Sequence, residues 1–334
     1  MKSRRIRFRN WVEVKVEDLH QWMKFVTLSE KERVSYHWTD CGPEEEGRKW
    51  LFRGQVDAEW PITSTLERTT LFKRFSSEDY RKKVERHYID EFRRRSHGIL
   101  AERSLTPFDL VAMMQHYGAP TRLIDFTYSA YVALYFAVNG ENAQKGDERD
   151  FAVWAICLDE LHEHPEFPAV VDAKVEPKAA SDNSCICEYR VYDNTTEDVF
   201  SEESFGSPRS RVYFAYPKFG SVRSNAQSGV FLLQSSLQRS FMDDLTGCMN
   251  CKPEKARLND LCHENVFMDQ RLDLVLYSRV IKYVFAKSLR QEASLALRSM
   301  NILPHTLFPD LSGIARTISM SANEKIDDYS RFGE

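Results

Sequence analysis

The stretch from Met114 to Val138, MQHYGAPTRLIDFTYSAYVALYFAV, leaves this chain few ways to fold. Leu110, Met113, Met114 and Tyr117 run into it at helical spacing. Gly118 suits the left-handed residue that closes a helix, and Pro120 forbids continuation. Thr121 to Phe126 then reads as a short extended segment. Ser129 is placed to cap a second helix, with Tyr131, Leu134, Tyr135 and Val138 at i, i+3, i+4 and i+7. A short strand carrying Arg122 and Asp125 is thus pinned between two buried helices, and two charges held there need partners. One reading is an Arg122–Asp125 pair bracing the turn; the other is a working site.

Residues at several separate places resemble the FRG domain, named for a Phe/Arg-Gly signature. Leu51-Phe52-Arg53-Gly54-Gln55 matches its early strand element. Gln115 to Asp125 matches its next segment, followed by Thr127, Ser129 and Ala133 to Ala137. Asn225, Gln227, Gly229 and Phe231 match a later element, and Leu307 to Gly313 the C-terminal ending. The resemblance runs over about residues 45–316. A family label does not by itself fix chemistry.

The rest of the chain reads as α+β: one large domain with a mixed or mostly antiparallel sheet flanked by helices. Residues 1–44 are expected to give an edge strand (Trp11, Val12, Val14, Val16) and a helix from Glu17 to Tyr36. The main domain spans 45–316, with a surface excursion at about 160–211, a cysteine-containing insertion at about 243–268, and a frayed tail at 317–334. Strands are expected over Lys49–Gly54, Phe151–Leu158, Arg211–Tyr216, Val230–Leu233 and Val280–Ala286. Helices are expected over Ser77–Ser96 and Leu289–Met300, with Asn301 to His305 extended.

Charge is nearly balanced, with 46 Lys and Arg against 50 Asp and Glu, so no strongly basic balance demands nucleic acid as a partner. Local basic patches at Lys2–Arg9 and Phe72–Arg95 keep nucleic acid in view. No apolar run approaches 18 residues and no secretory h-region is present, so a cytoplasmic chain without a membrane span is expected. Seven cysteines then read as reduced thiols. Cys248, Cys251, Cys262 and His263 supply three thiolates and an imidazole, a set that suits tetrahedral zinc; the competing reading is partly buried thiols.

Glycine-rich phosphate loops, the Gly-x-Ser-x-Gly elbow and His-Glu-x-x-His are absent from the sequence. The order of motifs is instead similar to that of ADP-ribosyltransferases. Phe52-Arg53-Gly54 stands for the first element, Thr127-Tyr128-Ser129 with Ala133 to Phe136 for the second, and Gln227-Ser228-Gly229 for the third. The resemblance implies NAD as substrate, a cleft holding Arg53, Gly54, Gln55, Arg122, Thr127 and Ser129 around the nucleotide, and Arg53 on the phosphates. It also implies a macromolecular acceptor and a toxin or defence role. Gln227 departs from the pattern, because a glutamate is expected there and an amide supplies no negative charge to an oxocarbenium-like sugar. Asp125 is the carboxylate available to replace it. His116 reads either as an acid or base or as a cap on its helix. A non-catalytic nucleotide or nucleic-acid module and a partner-binding scaffold are the alternatives.

Overall fold

The computed structural model describes residues 11–36, 50–100, 105, 107–140, 148–157, 186–190, 212–216, 221–234, 236–248, 255–257 and 280–321. Among these, nine strands form one mixed sheet. In chain order they are β1 (Val12–Val16), β2 (Trp50–Gln55), β3 (Ile124–Thr127), β4 (Phe151–Cys157), β5 (Ile186–Arg190), β6 (Val212–Tyr216), β7 (Gly229–Gln234), β8 (Lys255–Arg257) and β9 (Val280–Phe285). Their spatial order is β5-β6-β7-β3-β2-β4-β9-β1-β8. The middle, from β7 to β9, is antiparallel, and parallel pairs appear only toward the two ends. The α+β expectation with a mixed sheet therefore holds.

Strand β1 is not an edge. It lies parallel between β9 and β8, with Val12, Val14 and Val16 buried. Period-two patterning reports which face is buried but not which neighbours flank a strand. Asn301 to His305 also departs from its expected extended form, since Pro304–Leu307 is a helical turn with Pro304 in the first-turn position that tolerates proline. The last helix, Leu311–Ser321, continues past residue 317, where fraying was expected.

The two sheet faces have separate cores. Helix α1 (Leu19–Tyr36) and the helix Ala130–Asn139 cover one face, packing Trp22, Ala133 and Leu134 on Phe52, Val153 and Tyr283. The other face joins Leu51, Trp154 and Ile156 to Ile62 and to Phe241 and Leu245 of the helix Phe241–Cys248. Alternation along β2 puts Phe52 and Gly54 on the first face and Leu51, Arg53 and Gln55 on the second.

The central stretch folds as its residues dictate. Helix Pro107–His116 ends with Ala119 N donating to Met114 O at 2.8 Å and Gly118 at φ +78°. Ser129 caps Ala130–Asn139 by accepting from Val132 N at 3.3 Å. That helix is apolar nearly all round, and it is buried accordingly.

Candidate functional site

Strands β2 and β3 meet at a single pair, Phe52 with Thr127, whereas β2 pairs with β4 along its whole length from Trp50 to Gln55. Beyond that one bridge, Arg53 joins the two strands. Its Nη1 donates to the main-chain carbonyl of Asp125 at 2.6 Å. Nε is shielded from solvent, and among the described residues it has no hydrogen-bond partner and no carboxylate pairs with the guanidinium. Burial lowers its pKa; Asp125 acts against that effect and the like charge of Arg68 adds to it. A cation so placed, with donors to spare, is suited to an anionic ligand.

Asp125 is exposed on β3. Its Oδ2 accepts from Gln115 Nε2 at 2.7 Å. Gln115 Oε1 in turn accepts from Thr121 Oγ1 at 2.6 Å, which fixes the amide's orientation. Thr121 is tied to the next segment: its N–H donates to Thr65 Oγ1 at 2.9 Å, and its carbonyl accepts from Leu66 N at 2.9 Å. The carboxylate is therefore held from one side and open on the other.

Arg122 has a different role from the one expected. It is 2% exposed and forms a two-pronged pair with Glu85 of the helix Glu78–Leu100, through Nε to Oε1 at 2.6 Å and Nη2 to Oε2. Its Nη1 donates to Gln234 O at 3.1 Å. Asp125 is not its partner, and the pair fastens the long helix to the sheet.

Gly54 and Gln55 are also committed to the fold. A Cβ at Gly54 would overlap the Ala133 carbonyl oxygen and lie 2.5 Å from Ala137 N. The space that seemed open to a ligand holds the Ala130–Asn139 helix. Gln55 donates to Pro61 O at 3.1 Å and accepts from Trp154 Nε1 at 2.7 Å.

Thr127, Ser129 and Gln227 are occupied in the same way. Thr127 Oγ1 donates to Gln227 O at 2.7 Å and accepts from Ser129 N at 3.0 Å. Gln227 Nε2 donates to Leu307 O at 3.0 Å. These bonds tie the end of β3 to the start of β7 and to the C-terminal helical turn.

His116 is exposed at the end of its helix, with its ring edge-on to Tyr117. Burial lowers its pKa, Arg223 adds to the lowering, and Asp310 and Asp125 oppose it. Asp125, Arg223 and Asp310 thus act on His116 through their charges. Asp310 is fixed by bonds from Ser312 and Gly313, and these together with Arg223 hold its carboxyl below the usual range. The Arg223 guanidinium lies over the Phe308 ring at 4.4 Å. Arg223, Asp310, Gln115 and Arg68 were not picked out from the sequence as site residues. Gln115 and Asp310 stand inside the stretches that carry the resemblance, but nothing in their spacing shows what they touch.

Cys248 ends the helix Phe241–Cys248, while Cys251, Cys262 and His263 lie outside the described residues. The zinc expectation falls there too, as does most of the 160–211 excursion. Among the described residues no helix is long and apolar enough to cross a membrane.

No curated protein and no solved structure matches this chain. The FRG domain family model matches residues 48–146, a span that contains Arg53, Gly54, Gln115, His116, Arg122 and Asp125. With the signature arginine on β2 and the Gln115–Asp125 element beside it, residues 48–146 are an FRG domain.

Proposed function

We propose that the FRG domain of this chain is an NAD-cleaving site, ADP-ribosyltransferase-like or NAD glycohydrolase. The observation that carries the reading is the Arg53 guanidinium, which has a donor to spare and bonds the main chain of β3 at Asp125, whose carboxylate is exposed. In this reading Arg53 binds the dinucleotide phosphates. The bond between the nicotinamide nitrogen and the ribose breaks, and nicotinamide leaves with the electron pair. Asp125 stabilises the cationic sugar, which water or a macromolecular acceptor then attacks while losing a proton. Gln115 keeps the carboxylate in place. A toxin or defence role follows from the resemblance and belongs to the same proposal.

Nicotinamide release from NAD by the purified protein, beside Arg53→Ala and Asp125→Asn, tests this. Release by the wild type that both variants lose by about a hundredfold or more supports the reading. Release that is absent, or indifferent to Arg53, removes it.

A second reading is nucleotide binding without cleavage. Gln227, at the position where a glutamate is expected, spends its neutral amide on Leu307. Nucleotide-induced thermal stabilisation without nicotinamide release is the result that favours it. A nucleic-acid partner has less support from the long helix, because Arg93 pairs with Asp90, and Arg94 and Arg95 pair with Glu91.

A further inference from the structure

Where the helix Thr70–Arg74 gives way to the long helix Glu78–Leu100, an aromatic stack reaches water. Phe75 and Tyr80 lie nearly parallel, with ring centroids 5.2 Å apart and an interplanar angle of 13°. Tyr80 is 53% exposed, so a large ring is held at the surface and not in a core. Its footing is firm. Arg81 donates from Nε to Phe75 O at 2.8 Å and from Nη1 to Leu237 O at 2.8 Å. Phe72 of the first helix and Val84 of the second share one core cluster. The stack is therefore formed before any partner arrives.

Cations flank the stack. Lys73 and Arg74 immediately precede Phe75, and Lys83 holds its Nζ over the Tyr80 ring at 5.2 Å. All three are exposed, and among the described residues no carboxylate pairs with them. From position 73 to 87 there are six Lys and Arg against three Asp and Glu. Two of those acids are spent elsewhere: Glu85 is buried on Arg122, and Glu78 is taken up by Ser236 Oγ at 3.0 Å and Lys82 at 3.6 Å. Of the three, Asp79 alone is left to oppose the positive charge. The arginines at 93–95, which pair with Asp90 and Glu91, take no part.

An exposed aromatic face flanked by unpaired cations suits a chain of phosphates that carries flat bases. A carboxylate-rich peptide would satisfy the cations and leave the ring unused. A duplex would keep its bases stacked away from it. We propose that the Phe75–Tyr80 stack and its flanking cations form a docking surface for single-stranded nucleic acid. One base stacks on Tyr80 and displaces the flexible Lys83 arm toward a phosphate, while Lys73 and Arg74 take neighbouring phosphates. These contacts read base faces and phosphates only, so DNA and RNA strands are both accepted. The surface shares no residue with the Arg53 site and stands whether or not the protein cleaves NAD.

Fluorescence anisotropy of the full chain with labelled oligo(dT) and oligo(U) of about 12 nucleotides tests the surface. Both are expected to bind, with a slope of about −2 in log K against log salt for roughly three phosphate contacts. Tyr80→Ala is expected to weaken binding about fivefold or more and leave the salt slope unchanged, whereas Tyr80→Phe keeps the affinity. Lys73→Gln combined with Arg74→Gln is expected to reduce the slope by about 1.4. Each substituted side chain is exposed, and matching thermal melts establish that the variants are folded. Absence of binding at low salt, affinity indifferent to Tyr80→Ala, or a duplex bound as tightly as the single strand overturns the proposal. Inorganic polyphosphate or polyglutamate competing as well as the unlabelled oligonucleotide also overturns it, and identifies a surface that takes any polyanion.

Discussion

Gln115 Nε2 donates to Asp125 Oδ2 at 2.7 Å, across the bend made by Gly118 and Pro120. The residues between them make the turn that closes this contact. The amide is itself fixed by Thr121, so the carboxylate is oriented by a group with little freedom to turn. Gln115→Leu removes the donor while keeping similar bulk. It is expected to lower kcat for the proposed NAD cleavage by about tenfold, with KM little changed, in steady-state nicotinamide release.

The Arg122–Glu85 pair is buried on both sides. Removing one partner leaves the other charged and desolvated. Arg122→Met or Glu85→Leu alone is expected to cost about 3–5 kcal/mol in urea unfolding. The double variant is expected to recover much of that loss, which a double-mutant cycle would register as strong coupling.

Gln227→Glu would put a carboxylate where a glutamate is expected from the transferase-like motif order. Its amide hydrogen now serves Leu307 O, and a carboxylate in that place has no donor to offer. The variant is expected to be about 1–3 kcal/mol less stable by denaturant melt. A gain of activity there would require the C-terminal turn to move.

His116 sets a pH dependence. Its folded pKa lies below the ordinary value of 6.5 because of burial and Arg223, against the pull of Asp310 and Asp125. The unfolded chain therefore takes up a proton at higher pH than the folded one. Stability from this group is present above about 6.5 and is lost as pH falls through the folded pKa. Arg223→Gln is expected to raise the His116 midpoint and Asp310→Asn to lower it, both measurable by NMR titration of the ring.

The span of the family match leaves out the long partners of both its strands. Residues 48–146 contain β2 and β3, joined by the one pair Phe52–Thr127. The full-length partner of β2 begins at Phe151, and that of β3 begins at Gly229. A fragment of 48–146 is expected to give a narrow amide NMR spectrum and no cooperative unfolding transition.

Local chemistry was readable from the sequence, and long-range partnership was not. The left-handed Gly118, the Ser129 cap and the apolar strand Phe151–Cys157 follow from short-range rules, and they hold. Arg122 was expected to need a partner, and it has one. That the partner is Glu85, 37 positions upstream on a charged helix, depends on how the helix crosses the sheet, which no spacing encodes. Arg53 was picked out as a candidate phosphate ligand; its bond to the Asp125 carbonyl across the strands could not be read from spacing. Gly54, Thr127, Ser129 and Gln227 are all engaged in backbone packing or capping, the plainer role that the same residue types offered from the start.

At Gly54 a hydrogen atom on the strand faces the backbone of the helix at Ala133 and Ala137. The atoms in the way belong to the helix backbone, so no change of side chain on the helix makes room for one at position 54. A bulkier residue at position 54 would push the helix off the sheet. Lost activity in such a variant would report a displaced helix, whereas Arg53, one residue earlier, projects from the opposite face of the strand.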